Sequence, residues 1–225
     1  MSDFGDAYLS SKDSLCGVVS SLSDEELGRT VPATPEWNVK DLFAHVVGIA
    51  LDFSTGNVAE VGQPDWTQSQ VDSRREKSVD ELIEEWSPTA EQVAGAMEHI
   101  HPAMAGLTLA DVVVHEHDLR GAVGRHGNRD GAPLDLSLNT YARWANRRFK
   151  EKDLPALEVR AGGSSWNIGV GDVQGTVEAP PFEMFRALSG RRTDDEVRAF
   201  TWTGDADTLA PLVSNYGKPS TSLGE

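Results

Sequence analysis

The stretch Asp111–Gly124, DVVVHEHDLRGAVG, sets carboxylates and imidazoles side by side in one predicted helix. A helix advances about 100° per residue, so Asp111 and His115, four apart, stack on one face. Asp118 continues that row. Leu109, Val112, Val113, Leu119 and Val123 form the adjoining apolar stripe, which puts the polar row at the edge of the buried side. A carboxylate and an imidazole so spaced are two ligands for a metal such as zinc. A third from another helix would leave the fourth tetrahedral position open, the arrangement of catalytic zinc. His45, on the flank of the apolar stripe in residues 37–53 (WNVKDLFAHVVGIALDF), is the candidate for that third place. Taken alone, the spacing describes a solvated or capped pair better than a ligand pair, and other histidines compete. His99 and His101 stand beside Pro102, which suits exposed positions. His117 points about 200° away from His115, so both cannot bind one ion.

These residues need helices to hold them. Apolar residues at helical spacing predict helices over residues 6–22, 37–53, 78–99 and 108–123. Asn38 with Asp41 and Ser78 with Glu81 read as capping boxes, and Trp37 with Leu42 as a hydrophobic staple. That gives Asp41 a capping role although it stands four before His45. Residues 54–70 read as a long loop or broken helix, and Ser87-Pro88 as a kink or break in the third helix. Four amphipathic helices with short to moderate connections predict a four-helix bundle.

Residues 124–133 (GRHGNRDGAP) are the strongest break in the chain. Beyond it one helix is predicted over 134–152, then three short strands (157–161, 165–170 and 174–178) as an antiparallel meander. Short helices follow over 180–189, 193–199 and 207–216. The fold class is therefore α+β, with an N-terminal bundle over 1–130 and a smaller α+β domain over 131–225.

Bulk properties narrow the partners. The net charge of −16 over 225 residues repels phosphate backbones and argues against nucleic acid. No apolar stretch is long enough for a membrane span, and residues 1–7 do not read as a signal peptide. The lone Cys16 excludes an intrachain disulfide, which fits a cytoplasmic protein. It reads as a small core residue rather than a nucleophile.

WNVKDLFAHVVG and DVVVHEHDLRGAVG resemble the two signatures of the mycothiol-dependent maleylpyruvate isomerase family, among the DinB-like metal-binding bundles. FEMFRALSGRR followed by WTGD resembles that family's C-terminal domain. The resemblance implies a DinB-like bundle holding zinc, or another divalent metal, through His45, Asp111 and His115. The family carries glutamate where this chain has Asp111, which is one methylene shorter. A metal here would lie closer to the fourth helix or bind through water. The resemblance further implies mycothiol as a low-molecular-weight thiol cosubstrate. Zinc would lower the thiol pKa, and the thiolate would attack a small electrophilic substrate. It also implies an arginine from the C-terminal domain, best matched by Arg191 and Arg192, whose forks suit a carboxylate. Asp118 is either a support for a ligand or a partner of Arg120. The expected protein is an isomerase or S-transferase, monomeric or homodimeric. The alternatives are a non-catalytic metal-binding or stress-regulatory module and a metal-free helical interaction domain.

Overall fold

The structure, a computed structural model, describes residues 3–225. It divides into two compact units at Gly127/Asn128.

In the N-terminal unit, α1 (Asp3–Val19) leads to a short capped turn, α2 (Asp24–Leu27), and a small hairpin, β1 (Thr30–Val31) with β2 (Thr34–Asn38). The sequence predicts only a polar connection there. α3 (Val39–Thr55) begins on the expected capping box. Asn38 accepts from the Asp41 backbone N–H and the Asp41 carboxylate accepts from that of Asn38. It stops at Gly56, whose φ of 77° satisfies a left-handed C-cap. α4 (Pro64–Asp72) occupies the stretch read as a loop or broken helix. α5 (Val79–Ala96) starts on the Ser78/Glu81 capping box and runs through Pro88 without dividing. α6 (Pro102–Val123) starts six residues earlier than predicted, with Pro102 in its first turn and the His101 side chain accepting from the Ala103 N–H.

α1, α3, α5 and α6 form the four-helix bundle, with α1 and α3 each packed on both α5 and α6, and α4 lies on α3. Trp86 of α5 is fully buried at its centre. Its indole N–H donates to the Tyr8 hydroxyl at 3.1 Å, and its ring meets those of Tyr8 and Phe43 edge-on.

α6 departs from the one-sided pattern expected of it. Residues 112–119 are buried without interruption, Glu116, His117 and Asp118 included. The helix is enclosed because α1, α3 and β1 all pack against it. Its charges survive burial by pairing. Glu116 accepts from Ser14 and from Arg120, at 2.7 and 2.8 Å. Arg120 therefore serves Glu116 rather than Asp118.

The linker after α6 holds Gly124, Gly127, Asn128 and Gly131 at positive φ, with no regular structure over 125–129. Limited proteolysis is expected to cut first within 124–131 and to yield two fragments by mass spectrometry. Early cuts inside α6 would contradict the compactness of the bundle.

The C-terminal unit opens with α7 (Ala132–Glu151), which packs on a four-stranded sheet and on α8. The strands are β3 (Pro155–Ala161), β4 (Ser164–Ile168), β5 (Val170–Glu178) and β6 (Thr201–Thr203), in the order β4-β3-β5-β6. This corrects the expected meander. β5 lies on the far side of β3 and runs parallel to it. The chain leaves β4 and crosses the start of β3 at Gly169, whose φ is 93°. A Cβ there would stand 3.0 Å from the Ala156 Cα, so only glycine permits the crossing. α8 (Pro181–Leu188), α9 (Asp194–Arg198), α10 (Ala206–Leu209) and a 3-10 turn at Ala210–Leu212 complete the unit. β6 has no counterpart in the sequence reading, and the helix expected over 207–216 is shorter. No helix of the described residues is long and apolar enough to cross a membrane.

Candidate metal centre

His45 sits in the second turn of α3, and Asp111 and His115 on one face of α6. One ligating atom from each lies within 4.8 Å of the other two. The His45 and His115 rings meet edge-on with centroids 5.1 Å apart. Asp111 Oδ1 is 3.5 Å from His115 Nε2. Tetrahedral zinc with bonds of about 2.0–2.2 Å spaces its ligand atoms by roughly 3.3–3.6 Å. The Asp111–His115 pair already stands at that spacing, so the shorter aspartate can share an ion with His115, while the three donors together lie within 4.8 Å. The donor set, two imidazoles and a carboxylate, is the chemistry zinc takes.

Each imidazole is held from behind. His115 Nδ1 is 3.1 Å from the buried Asp118 carboxylate, one turn on in α6. His45 Nδ1 is 2.8 Å from Gln70 Oε1. With both Nδ1 atoms so engaged, a metal would be met through the Nε2 atoms, that of His115 on losing the proton it holds towards Asp111. The Trp37 ring lies tilted against that of His45, with centroids 4.9 Å apart, and its indole N–H donates to Gln68. Both histidines are buried, while the Asp111 side chain is 31% exposed. The site opens to solvent on the Asp111 side.

The two imidazoles differ in charge. Burial, then the proximity of His115, push His45 down to about 4. Burial acts against the charge of His115 too, but Asp111 and Asp118 together outweigh it and raise that group to about 9. Without a metal, a proton sits on His115 between two carboxylates, where the site is arranged for positive charge. Asp118→Asn is expected to keep the hydrogen-bond geometry and remove that charge. Zinc affinity, measured by chelator competition, should fall about 10–100-fold.

The remaining candidates have other surroundings. His99 and His101 are exposed beside the start of α6, and His117 is buried away from the three. Arg192 is clasped by Glu183 at 2.7 Å and by Glu225 at 3.0 Å, and Arg191 donates to the Ser189 carbonyl. Cys16 is half-buried rather than fully enclosed, and burial pushes its thiol up to about 11.

Sequence reasoning misses Gln70, because its helix lies where Gly, Asn and Pro suggest a loop. One signal is present. Gly48 follows His45 by one turn, and a Cβ on it would come within 2.5 Å of the Gln70 Cβ. A glycine beside a candidate ligand marks a close approach by another element. α4 is fixed in that approach by Arg74, which forks onto Glu85 of α5 at 2.8 and 3.2 Å.

Residues 9–120 match the family model described as the mycothiol maleylpyruvate isomerase N-terminal domain. The fold is shared with the crystal structure of the mycothiol-dependent maleylpyruvate isomerase, at 15% identity and a TM-score of 0.63, over 89% of this chain and 91% of that one. A histidine-to-alanine mutant of that isomerase aligns over the same shares at 14% identity and the same TM-score. No curated protein matches the chain. The matched segment covers nearly all of the bundle and contains His45, Gln70, Asp111, His115 and Asp118, and through this N-terminal domain the chain belongs to the mycothiol maleylpyruvate isomerase family.

Proposed function

We propose that the protein is a zinc-dependent, mycothiol-linked isomerase or S-transferase acting on a small electrophile. The observation that carries this is the convergence of His45, Asp111 and His115 within 4.8 Å, with a hydrogen-bond partner behind each imidazole. Zinc held there would lower the pKa of a bound thiol and supply thiolate at neutral pH. His45 and His115 would donate through Nε2, and Asp111 through its carboxylate at the open side of the site.

The thiol comes from a cosubstrate in this reading, because Cys16 is held as a thiol near neutral pH. Cys16→Ser is accordingly expected to leave turnover unchanged in a mycothiol-dependent assay. Loss of activity in a folded variant would place the nucleophile on the chain instead. Arg191 and Arg192 are proposed as contacts for a carboxylated substrate. Arg191→Ala and Arg192→Ala should each raise KM for a carboxylated substrate, and Arg192→Ala should lower stability as well because it strips Glu183 and Glu225 of their partner.

The test begins with metal analysis of the purified protein, where one zinc per chain is expected. Mycothiol-dependent turnover of maleylpyruvate, and conjugation to other electrophiles, then separates an isomerase from a transferase. Zinc without either activity supports a non-catalytic module, and no zinc removes the proposal. Asp111→Glu restores the carboxylate length of the isomerase and should retain the metal.

A further inference from the structure

We propose that Asp52 and Gln70 are positioning residues that fix His45 in its Nδ1–H tautomer, and that Asp52 does so without touching either the ring or the ligand atoms. Gln70 Nε2 lies 2.6 Å from Asp52 Oδ2, and Gln70 Oε1 lies 2.8 Å from His45 Nδ1. An amide can turn end for end, so its orientation must follow from its partners. An ionised carboxylate only accepts hydrogen bonds. Asp52 therefore demands the NH2 end of Gln70. The carbonyl end then faces His45 and demands a proton on Nδ1. A neutral ring with its proton on Nδ1 keeps its lone pair on Nε2, the atom left for a ligand.

The carboxylate is itself held in place. Its other oxygen, Oδ1, accepts from the Asn57 side chain at 2.8 Å. Gln70 is buried, and the Gly48 notch lets α4 close on α3 at the height of His45. The two imidazoles thus receive different partners. His115 has a carboxylate directly behind it, whereas His45 has a neutral amide with the carboxylate one residue removed. The relay leaves His45 a neutral donor and places the negative charge further from the site.

The inference rests on reading His45 as a metal ligand for its purpose, but the tautomer can be observed in metal-free protein. Long-range 1H–15N spectra at neutral pH should show His45 as Nδ1–H. In Asp52→Asn, the new side-chain NH2 can donate to the Gln70 carbonyl and turn the amide. The Nε2–H tautomer should then appear, and zinc affinity by chelator competition should fall about tenfold. The double variant Asp52→Asn/Gln70→Glu reverses the polarity of the relay. The amide introduced at position 52 then donates to the carboxylate introduced at position 70, and that carboxylate accepts from His45. The double variant should restore both the Nδ1–H tautomer and the affinity, which a packing role would not do. Far-ultraviolet circular dichroism checks that each variant is folded. An unchanged tautomer in Asp52→Asn, or a double variant no better than the single one, overturns the relay. If the tautomers behave as expected and the wild type binds no zinc, the relay stands and the metal reading fails.

Discussion

His115→Ala is expected to remove the metal and thiol-linked turnover together, while the helices remain. The variant takes away one of three converging donors, and the two left come from different helices. A metal's charge stabilisation is worth several kcal/mol, so turnover should fall by about three orders of magnitude or more. The bundle retains its fold because its apolar core, not a metal, holds α1, α3, α5 and α6 together. Stability will still drop, since Asp118 is buried behind the ring. His115→Gln, which can still donate to Asp118, should lose the metal with less loss of stability. The pH dependence gives an independent check. His115 is raised to about 9, so below that pH its proton must leave before the ring can donate. Zinc affinity of the wild type should therefore climb by up to about tenfold per pH unit towards pH 9 and then level. Full activity in His115→Ala, or zinc binding that is flat over pH 7–9, would count against the site.

Trp86→Ala is expected to be the most destabilising single change in the bundle. The side chain is fully buried among Tyr8 of α1 and Phe43 of α3, so three helices meet on one ring. Truncating a buried tryptophan costs about 3–5 kcal/mol through lost burial and the cavity left behind. The loss is compounded because the Tyr8 hydroxyl gives up the indole N–H that donates to it. Against a total stability of about 5–15 kcal/mol, this leaves a marginal domain. Thermal unfolding should shift down by roughly 10 °C or more. Trp86→Phe keeps most of the ring and forfeits the hydrogen bond, so it should cost much less. A Trp86→Ala protein that melts within about 2 °C of the wild type would mean that the cluster does not hold the bundle together.

The bundle helices are legible for local reasons. A capping box needs only residues three apart, which is why the starts of α3 and α5 can be read from Asn38/Asp41 and Ser78/Glu81. Periodicity likewise marks the apolar stripes of α1, α3 and α5. α4 is hidden because Gly62 and Pro64 look like loop residues, although Pro64 in fact opens the helix. The meander expected in the C-terminal unit fails because strand partners are chosen across the sheet. Glycines that look like turn signals between neighbouring strands instead carry the chain past the start of β3.

That Asp111 and His115 share a helical face follows from the order of residues alone, because the pitch of a helix dictates it. So do the lack of an intrachain disulfide and the strong negative charge of the chain. Resemblance to a known family names His45 as their partner. The approach of the three side chains to within 4.8 Å comes from tertiary packing, since α3 and α6 are separated by two other helices along the chain. Packing also assigns Asp118 to His115 rather than to Arg120, because Glu116 takes the arginine. It brings Gln70 and Asp52 to His45, through a notch at Gly48 that no residue spacing records. Pitch and capping act between residues a turn apart, whereas the protonation and tautomer of a buried imidazole depend on whatever packing places beside it.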